Sequence, residues 1–166
     1  MASNQGHPIK PLYVLYRSNA TQRIQTDRKR GIQVNTIEND VFTLVKVELT
    51  TEFGANNIFV TGEYTPTPPS FPCVYINEAD NSNIGFDGCN HEIVTGVMYE
   101  VEVYSNKQNG KKAQAKAIMK VVDELLTRYG FTRTLMQQIP NMSDASIFRL
   151  VARYSAAVID NVIYRR

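Results

Sequence analysis

The last third of the chain repeats its apolar residues with two different periods. Between Val97 and Tyr104 every second residue is apolar, which is typical of a half-buried strand. This segment places Val97, Tyr99, Val101 and Val103 on one side and Met98, Glu100 and Glu102 on the other. From Lys111 to Tyr129 the period becomes helical, and Gly130 follows as a suitable C′ residue. The apolar stripe of this predicted helix comprises Ala115, Ile118, Val122, Leu125 and Tyr129.

The sequence after this helix predicts further strands. Phe131 to Gln138 forms a short extended segment, and Ile147 to Ile159 alternates again. The apolar face of this long strand comprises Phe148, Leu150, Ala152, Tyr154, Ala156 and Val158. Asp160-Asn161 then favours a turn into a last strand, Val162 to Tyr164. Residues 97–166 therefore predict a packed α+β module.

The segment from Thr36 to Phe53 fits two patterns. Thr36 is a suitable N-cap, and the spacing of Val41, Leu44, Val45 and Leu49 matches one face of a helix. The same segment also alternates, and its many β-branched residues favour a strand. Periodicity alone leaves both structures open.

Residues 57–90 are less regular. We expect strands from Asn57 to Tyr64 and from Cys73 to Ile76, and a polar loop from Glu78 to Asn90. Between the strands, the proline-rich residues 65–72 predict a surface crossing, because proline donates no hydrogen bond to a sheet.

Composition limits the classes of protein that the chain can belong to. The 166 residues are 43% hydrophobic, which suits one domain with a sizeable core. The net charge of +2 is too small to indicate nucleic-acid binding through overall charge. No apolar run reaches the roughly 18 to 20 residues that span a bilayer, and residues 1–7 show no export signal. Two cysteines, Cys73 and Cys89, are too few for a disulfide framework, so we expect reduced thiols.

Residues 1–35 differ from the rest of the chain. A short apolar run, Leu12 to Tyr16, precedes a polar, basic stretch that ends at Arg30. A pair of strands here, Leu12 to Tyr16 and Gly31 to Asn35, would be marginally stable without a partner surface. We therefore expect an extended N-terminal arm that another subunit or the domain itself supports.

No motif indicates catalysis or ligand binding. Gly85 and Gly88 precede a strand, whereas a phosphate-binding loop precedes a helix. Asp87, Cys89 and His91 match no common zinc spacing. A Cys73 and His91 pair would have no orienting partner. We therefore expect no catalytic residue, no cofactor and no metal.

The charged residues favour solvated or protein-facing roles. Glu100 and Glu102 share one strand face, where we expect a solvated or interface-facing pair. Lys112, Lys116 and Lys120 recur on the outer face of the predicted helix, which favours a solvated face over a phosphate-binding stripe. Glu124 and Arg128 add an i, i+4 pair.

Seven segments of the chain together form a familiar pattern: Phe71 to Val74, Tyr99 to Asn106, Gly110 to Lys112, Gly130 to Thr134, Ile139 to Asn141, Ala145 to Arg149 and Ile163 to Arg166. This pattern resembles tail terminator, or tail completion, proteins of long-tailed bacteriophages and prophages of Gram-positive bacteria. The similarity covers roughly residues 36–166.

This resemblance implies a small, mostly antiparallel sheet with two helices packed on it, and it favours the helix at Thr36 to Phe53. It also implies a hexameric ring on the tail tube protein. Such a ring ends tail polymerisation, docks the head's neck or connector proteins and lets DNA pass through its lumen in the virion. Assembly would take place in the host cytoplasm, without a membrane. The resemblance does not cover residues 1–35.

The candidate interface lies in the arm and at the C terminus. It comprises Leu12, Tyr13, Val14, Tyr16, Arg28, Lys29, Arg30, Arg165 and Arg166. Three alternatives to the terminator stay open: another neck protein, such as a head-completion or stopper ring; a small hydrolase or nuclease using His91 and Cys89; and a DNA-binding accessory protein using Arg28 to Arg30.

Overall fold

The chain folds into two helices and six strands within the part that the computed structural model describes, which is residues 36–64, 68–89, 91–142 and 144–164. In chain order these are α1 (Glu38–Phe53), β1 (Phe59–Thr61), β2 (Cys73–Phe86), β3 (Glu92–Ser105), α2 (Lys111–Arg128), β4 (Thr132–Gln138), β5 (Phe148–Ile159) and β6 (Val162–Tyr164). The fold is therefore α+β. The predicted arm, residues 1–35, lies outside the described residues and stays a prediction.

The six strands form one mixed sheet. Its order is β1-β2-β3-β5-β4, and β6 also pairs with β5. Only the β1 to β2 pairing is parallel among the five described, and the other four are antiparallel. One edge of β5 is shared, because β4 pairs with residues 150–155 and β6 with residues 157–159. Strands β3 and β5 therefore form the centre of the sheet.

Helix α1 resolves the two patterns that the sequence left open. Val41, Val45 and Leu49, at i, i+4 and i+8, are buried, whereas Val47 is 58% exposed. A strand would have buried Val47 together with Val45 and Leu49, so helical packing against the sheet decides the structure. The predicted N-cap is wrong: Ile37 precedes the helix without a side-chain cap, and the Thr36 amide instead donates to Asn161 Oδ1 at 2.9 Å.

Helix α2 supplies the larger apolar surface. Its buried residues are Ala115, Ile118, Met119, Val122, Leu125 and Leu126. The helix ends in a Schellman motif, in which the Phe131 amide donates to the Leu126 carbonyl and the Gly130 amide to the Thr127 carbonyl. Gly130 has φ +94°, a conformation that glycine adopts without a Cβ penalty. The predicted helix and its glycine stop are confirmed.

Strand β2 is much longer than the sequence predicts. The expected polar loop from Glu78 to Asn90 is wrong, since β2 continues to Phe86 and pairs with β3 down to Glu92. Register shifts near Asp80 and Gly85 interrupt the pairing, which explains why the segment does not alternate. Strand β1 is shorter than predicted and has only three residues. The Phe71–Pro72 peptide bond is cis.

The turn between β5 and β6 forms as predicted. Asp160 and Asn161 have φ of 50° and 59°, the left-handed conformation that a type I′ hairpin turn requires at both central positions. This turn also contacts the first described residue, because Asn161 Oδ1 accepts a hydrogen bond from the Thr36 amide.

Leu126→Ala tests the packing of α2 on the sheet. Leu126 is fully buried, so the substitution should lower the free energy of unfolding by about 2–5 kcal/mol through lost burial and a cavity. Urea denaturation measures the effect. Lys116→Ala, on the exposed face of the same helix, is the matched control and should change stability by less than about 0.5 kcal/mol. Equal losses in both variants would contradict this packing.

Candidate functional site

The two faces of the sheet differ in chemistry. One face packs against α1 and α2 and contributes Tyr99, Val101 and Tyr154 to the apolar core. We call the opposite one the far face. By the strand register, the far face carries Cys73, Tyr75, Met98, Glu100, Glu102, Tyr104, Arg149, Arg153, Ser155 and Ala157. Its charged residues lie at one end and its small residues at the other.

A buried ion pair occupies the charged end of the far face. Glu102 is only 3% exposed and accepts from Arg149 Nε and Nη2, both at 2.7 Å. The Tyr104 hydroxyl also donates to Glu102, and the Arg149 guanidinium lies 5.7 Å from the centre of the Tyr104 ring. The hydrogen bond from Arg149 to Glu102 raises the pKa of the guanidinium, while burial raises the pKa of Tyr104. Because both oxygens of Glu102 are occupied, this carboxylate is bound rather than free.

The neighbouring carboxylate is also paired. Arg153 Nε donates to Glu100 Oε2 at 2.6 Å, and this pair is more exposed than the first. The expectation of a solvated pair is therefore wrong for Glu102, which is buried, whereas an interface-facing position of the two glutamates stays a prediction. Both glutamates are paired because β5 places one arginine beside each of them, 47 and 53 residues further along the chain. Neither glutamate is a free general acid or base.

A concave pocket of about 820 Å³ lies at the other end of the far face and extends to the end of α2 and the loop after it, which contribute Thr127, Gly130 and Phe131 to its lining. Its floor consists of small residues of the central strands, including Gly96, Ser155 and Ala157. A Cβ on Gly96 would lie 3.0 Å from Ile84 Cγ2, a tight contact, which shows that the Ile84 side chain lies directly over Gly96 of β3. Ile84 and Tyr164 form opposite walls and are 60% and 62% exposed. We call this surface the far-face depression.

The hairpin of β2 and β3 carries further exposed apolar residues. Phe86 and Ile93, at its tip, are each more than two fifths exposed, and so is Val162 of β6 beside the depression. Sequence alone did not find this surface. The only signal for it was the small-residue run Ser155-Ala156-Ala157 opposite Gly96, and its meaning depends on the register of β3 and β5.

The turn between β2 and β3 brings three side chains together. Asp87 Oδ1 accepts the amides of Cys89 and His91, each at 2.8 Å, and Asp87 Oδ2 lies 3.1 Å from His91 Nδ1. The metal-ligating atoms of Asp87, Cys89 and His91 all lie within 4.8 Å of one another. The hydrogen bond from the His91 amide is the main cause that lowers the pKa of Asp87. The sequence placed these residues close together but gave no geometry.

The two cysteines lie far apart and differ in environment. Cys73 pairs with Tyr104 at one end of the β2–β3 hairpin, whereas His91 follows the turn at the other end, so the considered Cys73 and His91 pair does not form. Both thiols are free. Burial raises the pKa of Cys73 to about 11, while Cys89 is exposed. Cys89 is therefore the accessible thiol of the two.

The remaining predicted residues divide into described and undescribed ones. Lys112, Lys116 and Lys120 are exposed on α2, as expected. Lys120 Nζ lies 3.7 Å from Glu124 Oε1, and Arg128 Nη2 lies 3.8 Å from Glu48 Oε1 of α1. Glu124 and Arg128 each pair with another residue, so the predicted Glu124 to Arg128 pair is wrong.

All nine candidate interface residues lie outside the described part of the chain: Leu12, Tyr13, Val14, Tyr16, Arg28, Lys29, Arg30, Arg165 and Arg166. Their role stays a prediction.

Comparison with known proteins gives no family. No protein-family model matches the chain, and no curated protein is significantly similar to it. Among the described residues, neither helix has the length and apolar character that crossing a membrane requires.

Arg149→Met tests the buried pair. The substitution leaves Glu102 buried without its cation, so the free energy of unfolding should fall by roughly 3–5 kcal/mol. Arg153→Met, at the more exposed pair, is the matched control and should cost about 1 kcal/mol or less. Urea denaturation measures both.

Adding Glu102→Gln to Arg149→Met should restore part of the lost stability, because it removes the unpaired charge. A double variant as unstable as the sum of its single variants would show that the two residues are not coupled.

Proposed function

We propose that the protein is a structural virion protein that forms a ring at the head-proximal end of a phage tail tube. It ends tail polymerisation there and joins the tail to the neck proteins of the head. The specific tail role is supported by the sequence resemblance over residues 36–166. The general role, an assembly subunit rather than an enzyme, is supported by the far face.

The observation that carries the assembly role is the far-face depression. It has a floor of small residues and exposed walls at Ile84 and Tyr164. Phe86, Ile93 and Val162 add exposed apolar surface nearby. Apolar patches exposed on a protein surface commonly mark protein–protein contact sites. We infer that the neighbouring subunit of the ring covers it.

A ring requires two different contact surfaces on each subunit. Cyclic closure with six copies uses a heterologous interface, in which a patch on one subunit meets a different patch on the next. The depression is concave, whereas the hairpin tip with Phe86 and Ile93 ends in a turn and presents side chains outward. These two surfaces could therefore pair between neighbouring copies without either pairing with itself.

The charges of the far face support a contact guided by shape. Glu102 is paired with Arg149 and Glu100 with Arg153 within one subunit. Because these charges are already neutralised, a partner need not supply opposite charges to bury this end of the face. The same pairing argues against an acid–base role of Glu100 and Glu102.

The helix layer would lie outside the lumen of the ring. Lys112, Lys116 and Lys120 are exposed on α2, and a lumen lined by lysines would hold DNA through phosphate contacts. We therefore expect these lysines to face away from the axis, where DNA passes without sequence-specific binding.

Another neck protein, such as a head-completion or stopper ring, is the second candidate. It would use the same apolar far face, so ring formation alone does not separate the two functions. Binding to purified tail tubes supports the terminator, and binding to portal or adaptor protein instead supports the alternative.

Ala157→Arg tests ring formation through the depression. We expect the native protein to form hexamers of the 18.8 kDa chain, visible as rings by electron microscopy and by native mass spectrometry. An arginine on the floor of the depression should leave folded monomers, as judged by circular dichroism.

Lys116→Glu, on the outer face of α2, is the control and should still form rings. A monomeric native protein, or rings in Ala157→Arg, would contradict the proposed interface. A ring structure with Lys112, Lys116 and Lys120 toward the axis would contradict the proposed lumen.

Deleting residues 1–35 tests the predicted arm. If the arm crosses to a neighbouring subunit or to an adjoining tail or neck ring, the truncated protein should lose ring formation or head joining, because an added strand satisfies unpaired sheet edges. Native mass spectrometry and an in vitro head–tail joining assay measure the two effects. Unchanged assembly in both assays would show that the arm has no such role.

A further inference from the structure

We propose that the turn between β2 and β3 is a binding site for a single Zn²⁺-class ion, with Asp87, Cys89 and His91 as its ligands. The site lies at the hairpin tip that the proposed ring would place against a neighbouring subunit, but all three ligands come from one chain, so the site does not depend on the proposed tail function. It revises the expectation, drawn from sequence spacing alone, that the chain has no metal site.

The donor atoms have the composition that Zn²⁺ prefers. A carboxylate oxygen, a thiolate sulfur and an imidazole nitrogen are its common ligands in proteins. The three side chains are exposed, and their ligating atoms all lie within 4.8 Å of one another. Three protein ligands leave the fourth tetrahedral position for a water molecule, as in open zinc sites.

The distances are close to those of a bound ion. Two ligands about 2.0 Å from a tetrahedral zinc lie about 3.3 Å apart, and a sulfur and a nitrogen lie about 3.6 Å apart. Asp87 Oδ2 and His91 Nδ1 are already 3.1 Å apart. The widest separation, at most 4.8 Å, requires a closure of roughly 1 Å, which rotation of an exposed side chain can supply.

Asp87 also holds the backbone of the other two ligands. Its Oδ1 accepts the Cys89 and His91 amides, and the Asp87 amide donates to the His91 carbonyl at 2.9 Å. These three hydrogen bonds fix the turn before an ion arrives, so less ordering is required on binding. The second oxygen, Oδ2, is directed toward His91 and can move from that hydrogen bond to the ion.

Binding would release one proton from the thiol. The Cys89 S–H bond breaks, the sulfur forms a bond to the ion, and the proton leaves to the solvent. No electron is transferred. Cys73 does not compete, since it is buried at the other end of the hairpin.

The test uses the reduced full-length protein after removal of any affinity tag. Co²⁺, a spectroscopic stand-in for Zn²⁺, should give a thiolate-to-cobalt charge-transfer band and the visible bands of a tetrahedral site, saturating at one equivalent. Zn²⁺ should displace it, and competition with a chromophoric chelator gives the affinity. Cys89→Ser and His91→Ala should each weaken binding by at least about tenfold, because even outer-shell changes cost 10–100-fold.

The chain offers a matched control for each variant. Cys73→Ala removes the other cysteine of the chain, and His7→Ala removes the other histidine. Both variants should bind Co²⁺ as tightly as the native protein does. Circular dichroism checks that all four variants are folded. The proposal is overturned if no cobalt–thiolate band forms, if the band survives in Cys89→Ser, if His91→Ala binds Co²⁺ as tightly as the native protein, or if a control loses the band.

Discussion

The pairing of β3 with β2 on one edge and β5 on the other is the constraint on which the rest of the structure depends. Its partners run from Cys73 to Phe86 on β2 and from Phe148 to Val158 on β5. Because side chains alternate along a strand, this double register decides which residues of three strands face the helices. A slip by one residue would turn Tyr99 and Val101 out of the core and Glu100 and Glu102 into it.

The same register explains why charged residues are buried on the far face. Tyr99 stands opposite Tyr154 and Val101 opposite Ala152, which gives the helices an apolar surface. Glu100 and Glu102 alternate with these core residues along β3 and therefore lie on the far face. There β5 places Arg153 and Arg149 beside them. Burying a carboxylate costs several kcal/mol unless it is paired and hydrogen-bonded. The arginines therefore allow β3 to be buried on both faces.

Sequence was sufficient where a pattern is local. Helix α2 repeats its apolar residues at helical spacing and ends at a glycine, and the Asp160-Asn161 turn is a short-range signal, so both were predicted. Sequence was insufficient where partners are distant. The Glu102 to Arg149 pair spans 47 residues, and the outer half of β2 is specified by pairing with β3 rather than by its own alternation. The far-face depression likewise requires knowing that Gly96 lies opposite Ala157.

The proposed metal site in the β2–β3 turn was missed from sequence because the length of β2 was predicted wrongly. If residues 78–90 were a loop, Asp87, Cys89 and His91 would have no fixed relation, and their irregular spacing would argue against a metal. Because β2 extends to Phe86, which pairs with Glu92 of β3, the three residues lie in a short turn whose two ends are held together by this strand pair. Asp87 then hydrogen-bonds to both other residues, so their separation is set by the turn rather than by a flexible chain. Ligand spacings in known zinc motifs describe particular backbones, and a different closed turn can bring the same donors together at a different spacing.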